Sequence, residues 1–164
     1  MTPTNENDPI FAAGAPMQEP SSAPIDFAAG GWESYVSNSP FTAPHGQMYQ
    51  KIDTDGACWR AFLAQNIHCN SAGIVHGGMM VTFIDALMGL TVANSAQSTA
   101  LTIRLTTDFL SIARPGDWIV GQSRVSKLTR SVAFVEAQAH IGVRPLMNAQ
   151  GIFKRMRRRA LRTK

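Results

Sequence analysis

With 164 residues the chain is long enough for one domain with a sizeable core, and two domains are not expected. Its 45% hydrophobic content excludes a disordered chain, and no run reaches the roughly 18 uncharged apolar residues of a spanning helix. The net charge of +4 belongs to one end: residues 154–164 (KRMRRRALRTK) hold seven of the 15 Lys and Arg, leaving 8 basic against 11 acidic residues, or −3, elsewhere. The charge therefore gives no case for a nucleic-acid-binding face.

Residues 1–25 carry Pro3, Pro9, Pro16, Pro20 and Pro24 among small polar residues, with no usable period. With Glu6, Asp8 and Glu19 they lack the basic start and apolar middle of a signal peptide, so a cytoplasmic protein is expected. Residues 1–40 read as a partly flexible N-terminal arm, with a short helix expected around 26–36 that Gly30 and Gly31 weaken. From 46 onward GQMYQKI and ACWRAFLA, joined by DTDG, read as a hairpin. Cys58 and Cys69 have neither disulfide nor metal spacing and read as small apolar residues.

Segment 77–95 is apolar nearly all round, as in a helix buried on most faces. Four strands are expected after it, at about 99–111, 117–127, 131–142 and 146–156, with turns at Arg-Pro-Gly, Leu-Thr-Arg and Val-Arg-Pro. Two strands, one long helix and four strands imply an α+β domain in which an antiparallel sheet curls around the helix.

Within NSAGIVHGGMMVTFIDALMG (70–89), Asp85 is the one charged residue between Gly77 and Ser95. Asp has poor mid-helix propensity and a carboxylate is costly to bury, while no Lys or Arg stands three or four residues away. Asp85 is thus either an architectural carboxylate or a reacting one, a base toward water or a direct nucleophile. Before it, Gly77 and Gly78 open the helix where backbone N–H groups are free and the dipole is positive. That start either packs tightly on a neighbour or polarises a carbonyl oxygen. Gly77 and Asp85 are about 12 Å apart along one helix, so one carbonyl cannot touch both. If both serve one reaction, each must come from a different subunit of at least a dimer, with antiparallel helices and two equivalent sites.

Asn70, Gly73, His76, Gly77 and Gly78, with Asp85 nine residues after the His, resemble the hotdog-fold acyl-CoA thioesterases of the phenylacetate-degradation (PaaI) type. The likeness spans roughly residues 40–157, including FLSIARPGDWIV and RSVAFVEAQ, with the hotdog domain at 41–157 and a basic tail at 158–164. It implies a hotdog fold, pairing into a homodimer or homotetramer, and hydrolysis of an acyl-CoA thioester. Coenzyme A would then be part of the substrate, with no cofactor, nucleic acid or membrane insertion.

By the same resemblance Gly77 N–H would polarise the carbonyl, Asp85 of another subunit would attack or activate water, and Asn70 would orient the water or carboxylate. Thr102 falls where relatives often place a Ser or Thr near the acid, and His76 either touches substrate or braces the loop. Relatives acting on hydroxybenzoyl-CoA often carry Glu at the acid position, so Asp85 points to the phenylacetate-type branch. Gly78 joins the substrate-binding set, and Arg114, Lys127 and Arg130 are candidates for the coenzyme A phosphates or ordinary turn charges. Met48, Met79, Met80 and Met88 read as core or acyl-pocket lining, and His45, His68 and His140 lack metal-ligand spacing. A non-catalytic acyl-CoA-binding hotdog protein is the alternative; a hotdog dehydratase or hydratase is disfavoured, since the sequence shows no matching Asp/His signature.

Overall fold

The computed structural model describes Met17, residues 25–28 and residues 30–156. The basic tail at 158–164 and most of residues 1–24 lie outside these described residues. Seven strands form one antiparallel sheet: β1 (Glu33–Val36), β2 (Gln47–Ile52), β3 (Cys58–Leu63), β4 (Thr99–Phe109), β5 (Trp118–Leu128), β6 (Val132–Ile141) and β7 (Arg144–Met156). Their spatial order is β1-β2-β3-β5-β6-β7-β4. One helix, α1 (Gly77–Ala96), lies on the inner face. The α+β architecture with a sheet around a central helix is as expected from the pattern.

Helix and sheet approach closely because the sheet is small-featured where α1 crosses it. Ala133, Ala137 and Ala139 on β6 are buried beneath it. At Gly121 on β5 an added Cβ would stand 2.8 Å from both Leu87 Cδ2 and Phe83 Cε1, and at Gly151 on β7 it would stand 2.8 Å from Met88 Sδ. Against these gaps α1 sets Phe83, Ile84, Leu87, Met88 and Val92, all fully buried, with Phe62 and Phe153 closing the layer. Burying side chains of this size stabilises the domain by roughly 1.5–3 kcal/mol each before chain entropy is counted. By length and apolarity α1 could also cross a membrane, with mean hydropathy 1.4, but here it is the core helix under the sheet.

The helix is less enclosed than its sequence implies. Residues Val81, Thr82, Asp85, Ala86, Gly89 and Ala93 are only half-buried, a stripe facing away from the sheet. An all-round apolar sequence cannot by itself distinguish a helix wrapped by its own sheet from one half-covered.

Two further expectations are corrected. Segment 26–36 is not a helix: residues 33–36 form β1, pairing Glu33 with Gln50 and Val36 with Gln47. Gly31 adopts φ +69°, which bends the chain before the strand. Phe27 stacks on the outer face of the sheet, its ring 4.0 Å from Tyr49 and 4.7 Å from Trp118. Trp32 and Ile25 join the same cluster around Trp59, Ala61 and Val120, so the segment between the arm and the hairpin is tied down by aromatic burial. Second, the final hairpin turns at Gly142–Val143 and not at Val-Arg-Pro; Pro145 lies within β7, opposite His140 where the register shifts. An irregular pair is where a strand tolerates a residue without an N–H.

Candidate active site

The loop 65–76 delivers the chain to α1 in a fixed pose. His68 is buried, and its Nδ1 accepts Gln65 N–H at 3.0 Å, so Nε2 carries the proton and donates to His45 O at 3.0 Å. Asn70 Oδ1 accepts the N–H groups of Ala72 (2.9 Å) and Ile74 (3.4 Å), closing an Asx turn with Gly73 at φ +71°. His76 N–H then donates to His68 O at 2.8 Å. Asn70 is thus a brace in its own subunit; its carbonyl oxygen is turned into the loop, leaving the amide NH2 as the part that could meet another group.

His76 caps the helix. Its backbone is extended at φ −64°, ψ 134°, and Nδ1 accepts Gly78 N–H at 2.8 Å. The ring therefore braces the first turn in the Nε2–H tautomer, with that edge at the exposed surface. At Gly78 an added Cβ would stand 3.0 Å from His76 Nδ1 and so would crowd the capping ring. Gly77, the first helical residue, is flanked by Phe109 of β4, whose Cζ would lie 3.4 Å from an added Cβ. With Gly78 N–H bound by His76, Gly77 N–H is left without an acceptor among the described residues. It is a free donor at the positive end of a 20-residue helix.

Two turns further on, Thr102 Oγ1 donates to Asp85 Oδ1 at 2.7 Å. A bulge makes this possible. Thr102 pairs with Phe153 but Arg104 pairs with Ile152, so Ile103 is the extra residue in β4. Before it the even positions Ala100 and Thr102 face α1; after it Leu105 and Phe109 do, the parity reversed. Asp85 itself is half-buried and meets no Lys or Arg among the described residues. In place of deep burial with ionic compensation, the carboxylate has one hydroxyl on Oδ1 and keeps Oδ2 free at the uncovered face of the helix.

The three basic candidates do not gather. Val75 N–H donates to Ala113 O at 2.9 Å, so Arg114 stands beside the entry to α1, and Arg144 holds that loop through Ile112 O (2.7 Å) and Ser111 Oγ (3.0 Å). Lys127 and Arg130 are exposed at the opposite end, where Arg155 reaches Thr129 O and Ala96 O. The helix between the two ends is about 30 Å long. Among the described residues no cluster of three His, Cys, Asp or Glu is placed to hold a metal. One residue with no part in the sequence reading stands out: Arg60, on the inner face of β3. Its signal was the alternation Cys58, Arg60, Phe62, which places a cation on a core-facing row.

The family model of the thioesterase superfamily matches residues 72–147, which contain the end of the loop, α1 and the paired Asp85 and Thr102. An esterase-named protein of Pseudomonas aeruginosa, PA0474, is 32% identical over 125 residues, covering 75% of this chain and 93% of its own. The chain belongs to the thioesterase superfamily. It is a thioester hydrolase of the hotdog fold. The structure of a hypothetical thioesterase with coenzyme A from Streptococcus pneumoniae matches with a TM-score of 0.64 at 19% identity, over 69% of this chain and 91% of that one. The PaaI protein of E. coli, from the phenylacetic acid degradation operon, matches with a TM-score of 0.58 at 18% identity, over 62% and 73%. Both likenesses concern the fold.

Proposed function

We propose that this protein hydrolyses acyl-CoA thioesters in the cytoplasm, at sites built between two copies of the chain. The observation that carries the reading is the Thr102–Asp85 hydrogen bond on the open face of α1. It fixes one carboxylate oxygen and leaves the other without a partner among the described residues, on a residue about 12 Å along the helix from Gly77. A two-fold pairing with antiparallel helices would bring Gly77 of the partner copy opposite Asp85.

Two features support such pairing. β4 is bonded to β7 along one edge, and its other edge is unpaired among the described residues. Leu101, Ile103 and Phe109 on it are 57%, 58% and 54% exposed, a long apolar edge of the kind that seeks a second strand. Beside it lies the half-buried stripe of α1 with Gly89 and Ala93, small enough for close helix approach. The same pairing would bring the Lys127–Arg130 end of one subunit toward the Arg114 end of the other, where coenzyme A phosphates could meet both.

In the reaction the Gly77 N–H and the helix dipole stabilise the oxyanion that forms as the thioester carbonyl carbon becomes tetrahedral. Along the base route, Asp85 takes a proton from water as its oxygen attacks, and the tetrahedral species expels the coenzyme A thiolate, which recovers a proton. Along the nucleophilic route, an Asp85 oxygen attacks and expels the thiolate, and water then cleaves the mixed anhydride. In a single turnover in 18O water, label entering the Asp85 carboxylate marks the nucleophilic route, with water attacking the anhydride at the Asp85 carbonyl carbon. The function itself is tested without choosing between the two routes: thiol release from a panel of acyl-CoAs should be seen with wild type and fall about 100-fold or more in Asp85→Ala. Binding of acyl-CoA without thiol release would make the protein a binding module.

A further inference from the structure

Arg60 is a buried cation with neutral company. It is 7% exposed. Nη2 donates to Gln50 Oε1 at a long 3.4 Å, the guanidinium carbon lies 4.8 Å from the centre of the Tyr35 ring, and Nε has no acceptor. No ion pair joins Arg60 to Asp or Glu among the described residues. Desolvation pushes its pKa below the ordinary arginine value, with Tyr35 acting the other way. Arginine stays charged in proteins, so a buried guanidinium without an anion is an incomplete arrangement.

Arg60 also borders a cleft between the β1–β3 end of the sheet and α1. The cleft holds ≈ 40 Å³; Tyr35, Ser37, Thr42 and Thr82 bring hydroxyls to its wall, and Met48, Phe83 and Ala86 make the rest of it apolar. That space accommodates a water or two or a carboxylate group, and is too small for a long aliphatic chain. Ala86 follows Asp85 directly, about 100° around the helix, so the cleft lies within one helical turn of Asp85.

We propose that this cleft receives the far end of the acyl group, and that the end is a carboxylate bound by Arg60. The substrate class is then the coenzyme A monothioesters of short dicarboxylic acids. The inference rests on the assignment of Asp85 as the reacting carboxylate. A planar guanidinium offers a carboxylate two parallel N–H donors; the Tyr35 hydroxyl and whichever of the bonded pair Ser37 and Thr42 keeps its proton free can donate to its remaining lone pairs, while the Thr82 hydroxyl is spent on Gly78 O. A methyl-ended chain of the same length would leave the cation buried and unopposed, which is how polar sites reject apolar analogues.

The test compares kcat/KM for glutaryl- and adipyl-CoA with pentanoyl- and hexanoyl-CoA, corrected for spontaneous hydrolysis. In wild type the dicarboxylic member of each pair should be favoured by about 10²-fold or more. In Arg60→Gln that ratio should collapse toward one, with Arg60→Lys between the two; the ratio is the readout, since a merely structural role would lower both rates together. Equal or better use of the methyl-ended chains by wild type overturns the inference and leaves the thioesterase reading standing, whether or not the variants fold. If no thioester is cleaved, the thioesterase reading fails, and calorimetric binding of adipyl- against hexanoyl-CoA decides the cleft: tighter adipyl-CoA supports it, equal or weaker binding overturns it.

Discussion

Thr102 Oγ1 lies 2.7 Å from Asp85 Oδ1, joining the edge strand β4 to the middle of the core helix across seventeen residues of sequence. The bond orients the carboxylate and leaves its second oxygen toward the open side. Thr102→Ala should lower kcat by about 10- to 100-fold, the equivalent of losing one hydrogen bond to a charged group. Thr102→Ser, which keeps the hydroxyl, should recover most of that loss. Steady-state thiol release checks both, and a Thr102→Ala enzyme with wild-type kcat would remove Thr102 from the site.

The free edge of β4 carries the second prediction. Lysines in place of Leu101 and Ile103 together would set two charges on the edge, the device by which sheets avoid pairing. The variant should sediment as a monomer, keep its helical circular dichroism, and lose about 100-fold or more of its thiol release because the opposed Gly77 donor is gone. A monomer with full turnover would show that one subunit holds a complete site.

The close passage of α1 over β5 predicts a stability effect away from the site. Gly121→Ala would set a Cβ 2.8 Å from Phe83 and Leu87, both fully buried, so that one of them or the helix must shift. We expect a loss of about 1–3 kcal/mol, read as a fall in Tm of about 3–10 °C. An unchanged Tm would mean that the helix shifts at little cost.

The sequence showed the scaffold of the site more readily than its enclosure. Asp85 was visible because nothing else between Gly77 and Ser95 is charged, and His-Gly-Gly because two glycines at a helix start have a backbone meaning. The pairing of Thr102 with Asp85 came to view through the family resemblance, since a bulge at Ile103 reverses which strand residues face inward and periodicity alone cannot reveal it. Segment 26–36 was misread because Phe27 and Trp32 owe their order to the outer face of a sheet whose strands come later in the chain. Arg60 was legible in the alternation of β3, but its lack of an ionic partner is a tertiary fact.

The most direct measurement concerns whether Gly77 and Asp85 of different subunits make one site. Gly77→Pro removes the N–H at the first helical position, where proline fits, and the extended backbone of His76 suits a residue before proline. Gly77→Pro and Asp85→Ala should each fold and each lose about 100-fold or more of thiol release. When the two inactive proteins are unfolded together and refolded as a mixture, random pairing gives mixed dimers in which one site of two is intact. Activity should then return to about a quarter of wild type. If Gly77 and Asp85 act within one subunit, every site in the mixture lacks one of them, and a mixture as inactive as its parents would contradict the account.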